Sequence, residues 1–225
     1  MEKENIYLDN CATTKVISQA VEGVLKVMTE DYGNPSSIHN LGLKAERQLK
    51  EARDTMGRFM QVPPNNIVFT SGGTESNNLA IFGGLRVRKR FGSHCITTEI
   101  EHPSTLNTFA YLEEEGYDIT YLPVSSQGII DLNELERAIR RDTTLVSLAH
   151  VNSEIGVVQP IRDIGSLLKS RFPHIIFHVD GVQSFGRLPL SPLDWNIDLL
   201  SISGHKIHGP KGIGALYTNN SLNLH

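Results

Sequence analysis

Short apolar runs alternate along the chain with segments whose apolar residues recur at helical spacing. The apolar runs are nearly continuous, which is typical of β-strands that are covered on both faces. The spacing of Leu49, Ala52, Met56 and Phe59 instead predicts an amphipathic helix over residues 43–59. Strands that alternate with helices favour a mostly parallel, doubly wound α/β sheet. Seven strands are predicted, over residues 67–70, 95–99, 119–124, 144–149, 175–179, 199–203 and 214–217.

The first part of the chain departs from this alternation. Residues 16–28 are predicted to form an amphipathic helix, with Ile17, Val21, Val24 and Met28 on one face. Residues 32–37 contain Gly33-Asn34-Pro35 and are predicted to form a loop. Further helices are predicted after residue 72, from residue 103, over 131–139 and over 161–172. The N-terminal segment is therefore expected to be an arm that precedes the alternating part.

Length and composition limit the possible classes of protein. At about 150 residues per domain, 225 residues correspond to one large domain or to one domain and part of another. The 39% hydrophobic and 20% charged residues are typical of globular proteins and exclude fibrous or wholly disordered chains. No apolar run approaches the roughly 18 residues of a membrane span, and no secretory leader is recognisable, so we expect a cytoplasmic protein without membrane contact. The net charge of -4 disfavours a nucleic-acid partner.

A glycine-rich segment follows the first predicted strand and opens a helix. Small residues at a helix N-terminus leave backbone N–H groups available to an anion, and here Thr74 and Ser76 add hydroxyls to Gly72 and Gly73. The segment contains neither the Gly-Lys-Ser/Thr of a Walker loop nor a G-x-G-x-x-G fingerprint. A phosphate cradle and a plain capped turn both remain open from these residues alone.

Polar residues also follow four other predicted strands, at the end of an α/β sheet where ligands bind. Asp180 stands at the mouth of an apolar strand, where a carboxylate needs a partner such as a protonated ring nitrogen. Lys206 lies on a glycine-flanked turn, where partial burial lowers the pKa of the amine and makes it a nucleophile. His102 and Asn152 follow two further strands. Helix caps, a turn-fixing amide and a surface lysine are the structural alternatives.

The five strand ends together suit pyridoxal 5'-phosphate. That cofactor needs a lysine for a Schiff base, an acid for the pyridine nitrogen and a cup for the phosphate. A metal site is the weaker alternative, because His102, His150, His178 and His205 are scattered and no H-E-x-x-H pair occurs. Two cysteines are too few for a disulfide framework or a cysteine-based zinc site. We therefore predict a cofactor site and no metal.

The motifs at these strand ends resemble those of the NifS/IscS-like cysteine desulfurases, which belong to the aminotransferase class-V group of fold-type-I pyridoxal-phosphate enzymes. The most specific match is Ser203-Gly204-His205-Lys206 followed by Gly209-Pro210-Lys211-Gly212. The resemblance implies the large domain of a fold-type-I transferase, with a seven-stranded, mostly parallel sheet between two helical layers. Matching stretches cover residues 7–14, 33–37, 67–80, 101–102, 150–157, 178–180 and 201–217.

The resemblance also implies a role for each site residue. Lys206 would bind the cofactor covalently and move a proton, Asp180 would pair with the pyridinium nitrogen, and Gln183 would bond the phenolic oxygen. His102 would stack on the ring and assist proton transfer, and Asn152 would face substrate and cofactor. The implied phosphate ligands are Gly73, Thr74, Ser203 and His205.

The activity implied by the resemblance is conversion of L-cysteine to L-alanine, with the sulfur passed on as a persulfide for iron–sulfur cluster or thio-cofactor assembly. Implied partners are a second copy in a homodimer or a C-terminal half, and an iron–sulfur scaffold or other sulfur acceptor. We expect residues 1–15 to be an arm that belongs with a small domain, residues 16–225 to be the large domain, and the C-terminal small domain with its acceptor cysteine to be absent. A non-catalytic binding or assembly subunit, a selenocysteine lyase and an aminotransferase-like enzyme remain alternatives.

Overall fold

The computed structural model describes residues 6–220, 222 and 224. Its seven strands form one sheet in the order β1-β7-β6-β5-β4-β2-β3. β7 runs antiparallel to both of its neighbours, and the other neighbouring pairs are parallel. The strands are β1 Ile67–Thr70, β2 His94–Thr98, β3 Asp118–Leu122, β4 Thr143–Ala149, β5 Ile176–Asp180, β6 Leu199–Ser203 and β7 Gly214–Thr218. The predicted mostly parallel sheet is thus confirmed, and each predicted strand end lies within two residues of the observed one.

Six α-helices accompany the sheet. They are α1 Ser18–Thr29, α2 Asn40–Met60, α3 Gly73–Arg88, α4 Pro103–Glu114, α5 Leu132–Ala138 and α6 Ile161–Arg171. Short 3-10 turns cover Pro64–Asn66 and Gly204–Lys206. The sequence explains several of the helix starts: Pro103 opens α4, and the Asp131 carboxylate accepts a hydrogen bond from the Asn133 N–H at the start of α5.

Helices cover both faces of the sheet, which gives three layers. Successive residues of a strand point to opposite faces, so Leu145 of β4 packs with Ile81 of α3 and Phe109 of α4, whereas Val146 packs with Ile164 of α6. All five side chains are fully buried. Each such burial contributes roughly 1.5–3 kcal/mol, and the continuous apolar runs of the central strands follow from burial on both faces.

Helix α6 approaches the backbone of the segment before β6 very closely at Gly165. A Cβ atom built on Gly165 would lie 1.8 Å from the carbonyl oxygen of Trp195, well inside contact distance. The backbone of the segment before β6 therefore packs against the helix at this point, and only a glycine fits there.

The N-terminal arm lies against the turn between β6 and β7. The N–H and Oγ1 of Thr14 both donate to the carbonyl of His205 at 2.9 Å, and the Ile17 N–H donates to the carbonyl of His208 at 3.1 Å. Helix α1, which follows, has no buried residue. Its predicted apolar face is therefore exposed, with 52% of Val21 and 71% of Met28 accessible. The division into arm and large domain stays a prediction.

Candidate cofactor site

The carboxyl ends of β2, β4, β5 and β6, together with the start of α3, surround a cavity of about 370 Å³. Parallel strands bring their carboxyl ends to one edge of a sheet, so residues far apart in the sequence meet here. The cavity is lined by every predicted site residue: Gly73, Thr74, His102, Asn152, Asp180, Gln183, Ser203, His205 and Lys206.

One end of the cavity has the groups that an anion needs. Helix α3 begins after Gly72, and no side chain caps its N-terminus. Its first N–H groups therefore point to the cavity mouth with the positive end of the helix dipole behind them. The Ser203 hydroxyl is buried and has no hydrogen-bond partner among the described residues. An uncapped helix and an unpaired hydroxyl fit a phosphate group.

Asp180 ends β5 at the wall of the cavity and is 6% exposed. Its Oδ1 accepts a hydrogen bond from the Val182 N–H at 2.9 Å, and its Oδ2 accepts one from Asn77 Nδ2 at 2.7 Å. Burial raises the pKa of the carboxyl group, while these hydrogen bonds and the positive charges of His102 and Lys206 act in the opposite direction. A buried carboxylate in this position fits a cationic ring nitrogen.

Lys206 is half-buried on the 3-10 turn after β6. Its Nζ donates to the carbonyl oxygens of Cys11 at 2.5 Å and Ala12 at 2.9 Å. Burial lowers the pKa of the amine, the negative charge available at Cys11 raises it, and Arg187 lowers it. Gln183 Nε2 also donates to the Cys11 carbonyl, at 3.0 Å. Two residues predicted to contact a cofactor therefore hold the N-terminal arm in this structure.

His102 is the N-cap residue of α4. Its Nδ1 accepts a hydrogen bond from the Ser104 N–H at 3.1 Å and lies 2.8 Å from Ser104 Oγ. The sequence left open whether His102 caps a helix or faces a ligand site. In the structure its ring caps α4 and also lines the cavity. The ring is exposed at the cavity.

Asn152 stands in the turn that follows β4. Its Oδ1 accepts from the N–H groups of Glu154 and Ile155, at 2.8 and 3.0 Å, and its Nδ2 donates to the carbonyl of Ile100 at 2.6 Å. The amide is therefore engaged by backbone groups and shapes the cavity wall. Its contact with a substrate stays a prediction.

Three buried polar residues of the wall had no role in the sequence interpretation: Asn77, Glu101 and Ser104. Glu101 is 6% exposed and accepts hydrogen bonds from Thr98 Oγ1 at 2.6 Å and the Ala149 N–H at 2.8 Å. Burial raises its pKa to about 8. Asn77 follows Gly73 by one helical turn, so the helical period could have indicated that it points the same way.

The two cysteines differ in environment. Cys95 is buried in β2, as predicted, and burial raises its pKa to about 12. Cys11 is exposed on the arm. Among residues 6–220, 222 and 224, no three His, Cys, Asp or Glu side chains are grouped so that they could hold a metal ion. In the same part of the chain, no helix has both the length and the apolar character to cross a membrane.

Comparison with known proteins gives consistent matches over nearly the whole chain. The family model for aminotransferase class-V proteins matches residues 6–224. The cysteine desulfurase IscS of Klebsiella pneumoniae is 50% identical over 215 residues, which cover 94% of this chain and 53% of that protein. A solved structure of a NifS-like protein has a TM-score of 0.94 at 37% identity and covers 97% of this chain and 60% of that one. The structure titled SspA in complex with cysteine has a TM-score of 0.91 at 43% identity, covering 97% and 64% of the two chains.

The chain spans about half the length of the curated relatives it matches, between 43% and 55% of each. The region in common includes the sheet, the cavity and the residues that line it. Its fold is that of the NifS-like structure. The chain therefore belongs to the aminotransferase class-V family, and its relatives in that family include the IscS- and NifS-type cysteine desulfurases.

Proposed function

We propose that this chain is the pyridoxal-phosphate-binding part of a cysteine desulfurase. The observation that carries the proposal is the convergence of three groups on one cavity: the Lys206 amine, the Asp180 carboxylate and the anion-binding end formed by Ser203 and α3. When bound, pyridoxal phosphate supplies an electron-withdrawing ring that stabilises negative charge on the α-carbon of an amino acid.

Residues at different positions in the cavity would bind different parts of the cofactor. The N–H groups of Gly73 and Thr74, the Ser203 hydroxyl and the His205 ring would bind the phosphate. Asp180 would hold a proton on the ring nitrogen, because an ionised carboxylate buried beside that nitrogen favours the cationic form.

The Lys206 amine would move a proton, and three neighbouring side chains would orient the cofactor and the substrate. Burial already lowers the pKa of Lys206, so the neutral amine is accessible for covalent binding and for moving a proton at Nζ. Gln183 would donate to the phenolic oxygen, His102 would cover one face of the ring, and Asn152 would limit the space left for the substrate. Each of these assignments uses a residue that lines the cavity.

L-Cysteine is the proposed substrate, because the relatives are named cysteine desulfurases and one structural neighbour is titled as a complex with cysteine. L-Alanine and a persulfide sulfur would be the products. Cys95 is unsuited as the acceptor, since it is buried and its pKa is raised to about 12. We propose that the acceptor thiol lies in a C-terminal part like the one that completes the relatives, with residues 1–15 as an arm and 16–225 as the large domain.

The proposed partners follow from the same family. They are a second copy of the chain or a C-terminal half, and an iron–sulfur scaffold or another sulfur acceptor. The exposed apolar face of α1 favours contact with further polypeptide. We propose the cytoplasm as the compartment.

Cofactor binding is tested by absorbance and by covalent trapping. The chain with pyridoxal phosphate should develop the visible band of a lysine-linked cofactor, and borohydride reduction followed by peptide mapping should place the label on Lys206. Lys206→Ala should abolish both signals. Lys211→Ala is the matched control, because this exposed lysine lies on the same connection and should leave them intact. Absence of the band in the wild-type chain, or a label on another lysine, would refute the assignment.

Turnover is tested separately from binding. We expect the chain with cofactor and L-cysteine to release little or no sulfide by itself, because the acceptor thiol is proposed to lie elsewhere. Adding the C-terminal half of a relative should raise the release. Robust release from the purified chain alone would contradict the proposed location of the acceptor, without affecting the cofactor site.

A further inference from the structure

Asn77 occupies a central place among the buried polar groups of the cavity wall. It lies one turn into α3, is 1% exposed and lines the cavity. Its Nδ2 donates to Asp180 Oδ2 at 2.7 Å and to Ser104 Oγ at 2.9 Å. An ionised carboxylate has no hydrogen to donate, so the nitrogen and not the oxygen of the amide must face Asp180. One amide group therefore uses both of its hydrogens on two other elements, the end of β5 and the start of α4.

The contact with Ser104 leads on to His102. Because Ser104 Oγ accepts from Asn77, its own hydrogen is available for His102 Nδ1, which is 2.8 Å away. The Ser104 N–H points at the same ring nitrogen, at 3.1 Å. Two donors at Nδ1 leave that nitrogen as an acceptor and place the hydrogen of the neutral ring on Nε2. The hydrogen bonds thus run without a break from Asp180 through Asn77 and Ser104 to His102.

We propose that Asn77 is a positioning residue that orients the Asp180 carboxylate and, through the Ser104 hydroxyl, supports the second hydrogen bond that holds the His102 ring at Nδ1. The inference rests on the proposed function only for what the two oriented groups then do to a ligand. The hydrogen-bond connection itself is a property of the chain without any cofactor. It can therefore be tested even if cofactor binding fails.

The variant Asn77→Leu keeps the approximate size of the side chain and removes both donors. Loss of a hydrogen bond to a charged group should raise the pKa of Asp180 by about one to two pH units. The other charged groups that act on this carboxyl group, Lys206, His102 and Glu101, are unchanged in the variant. A side chain that only fills space would alter stability and leave the Asp180 titration where it was.

Carbon-13 and nitrogen-15 NMR of the cofactor-free chain provide the readouts. The Asp180 carboxyl shift followed against pH gives its pKa, and the two ring nitrogen shifts of His102 report both its tautomer and the hydrogen bonds at Nδ1. Asn77→Leu should change both signals. Ser104→Ala should shift the His102 Nδ1 signal and leave Asp180 nearly unaltered, because it removes the hydroxyl bond to Nδ1 while the backbone N–H of residue 104 still donates there and keeps the tautomer.

Two further variants keep the test decisive. Asn78→Leu is the matched control, because Asn78 lies beside Asn77 on α3 but donates to the Thr74 carbonyl, so both signals should match the wild type. If Asn77→Leu does not fold, Asn77→Asp retains the shape and places a second carboxyl group against Asp180, which should raise the apparent pKa values of the pair. An unaltered Asp180 titration in folded Asn77→Leu or Asn77→Asp would overturn the proposal. An unaltered His102 Nδ1 signal in folded Ser104→Ala would overturn its second half.

Discussion

Glu101 makes the stability of this chain depend on pH in a direction opposite to that of an ordinary ion-paired carboxylate. Burial and the negative charge of Asp180 raise its pKa, the hydrogen bonds from Thr98 and Ala149 lower it, and the balance is a rise from 4.5 to about 8. Between these pH values the folded chain binds a proton that the unfolded chain releases. The contribution of Glu101 is therefore fully present below about pH 4.5 and is lost as the pH rises through about 8.

The variant Glu101→Gln removes this dependence with little change of shape. Its amide oxygen can accept from the Ala149 N–H, and its amide nitrogen can donate to Thr98 Oγ1 once that hydroxyl turns. The interval between 4.5 and about 8 corresponds to an upper limit of about 5 kcal/mol at high pH, and about 3 kcal/mol of it is reached at pH 7. The glutamine chain should gain that much relative to the wild type.

Urea denaturation followed by circular dichroism, from about pH 5 to about pH 9, measures the difference. The free energies of unfolding should nearly coincide at the acidic end and diverge steadily above it, with the variant more stable. Glu99→Gln is the control, because Glu99 is exposed on the same connection and its replacement removes the same charge without a buried group. A gap between wild type and Glu101→Gln that stays constant with pH would refute the reasoning.

Three further predictions concern thiols, packing and a buried ring. In the native chain a thiol reagent should modify Cys11 rapidly and Cys95 only after unfolding, which mass spectrometry of the labelled peptides would show. Gly165→Ala should destabilise the chain by about 1–3 kcal/mol or more. Gly23 has open space around it on α1, so Gly23→Ala should stabilise that helix by about 0.5–1 kcal/mol. Thermal unfolding of the two variants and the wild type measures both changes. His178, whose pKa burial lowers to about 3, bonds two serine hydroxyls. His178→Phe should cost about 2–4 kcal/mol and remove part of the stability loss between about pH 6.5 and pH 3, and equal acid sensitivity in both proteins would contradict this.

The strands could be predicted from the sequence because each is a local feature. The β4 strand is buried at all seven positions, and continuous burial leaves a run of apolar and small uncharged residues without any charge. The order of the strands has no such local signal. Nothing in residues 214–217 indicates that β7 enters between β1 and β6 and runs antiparallel to both, because that depends on partners distant in the chain.

For the site, too, some residues could be predicted from the sequence and others could not. Residues directly after strands, such as Asp180 and Lys206, were predicted because the sheet alone places them at the ligand edge. Asn77 and Ser104 were not predicted as site residues, because their contact depends on how α3 and α4 pack against each other. The apolar face of α1 shows a related limit: periodicity predicts that a helix is amphipathic, but it does not identify what covers the apolar side.

The position of β7 has a consequence for how the site forms during synthesis. Among the described strands, β1 pairs only with β7, in a register that joins Ile67 to Tyr217. While the chain grows from its N-terminus, β1 is made well before β7 and remains without its partner strand until residues 214–218 have emerged. Closing so long a loop is entropically costly and slow. A ligand that touches both the start of α3 and the turn after β6 would bind only after β7 has joined the sheet, so it would stabilise that state against reopening by mass action.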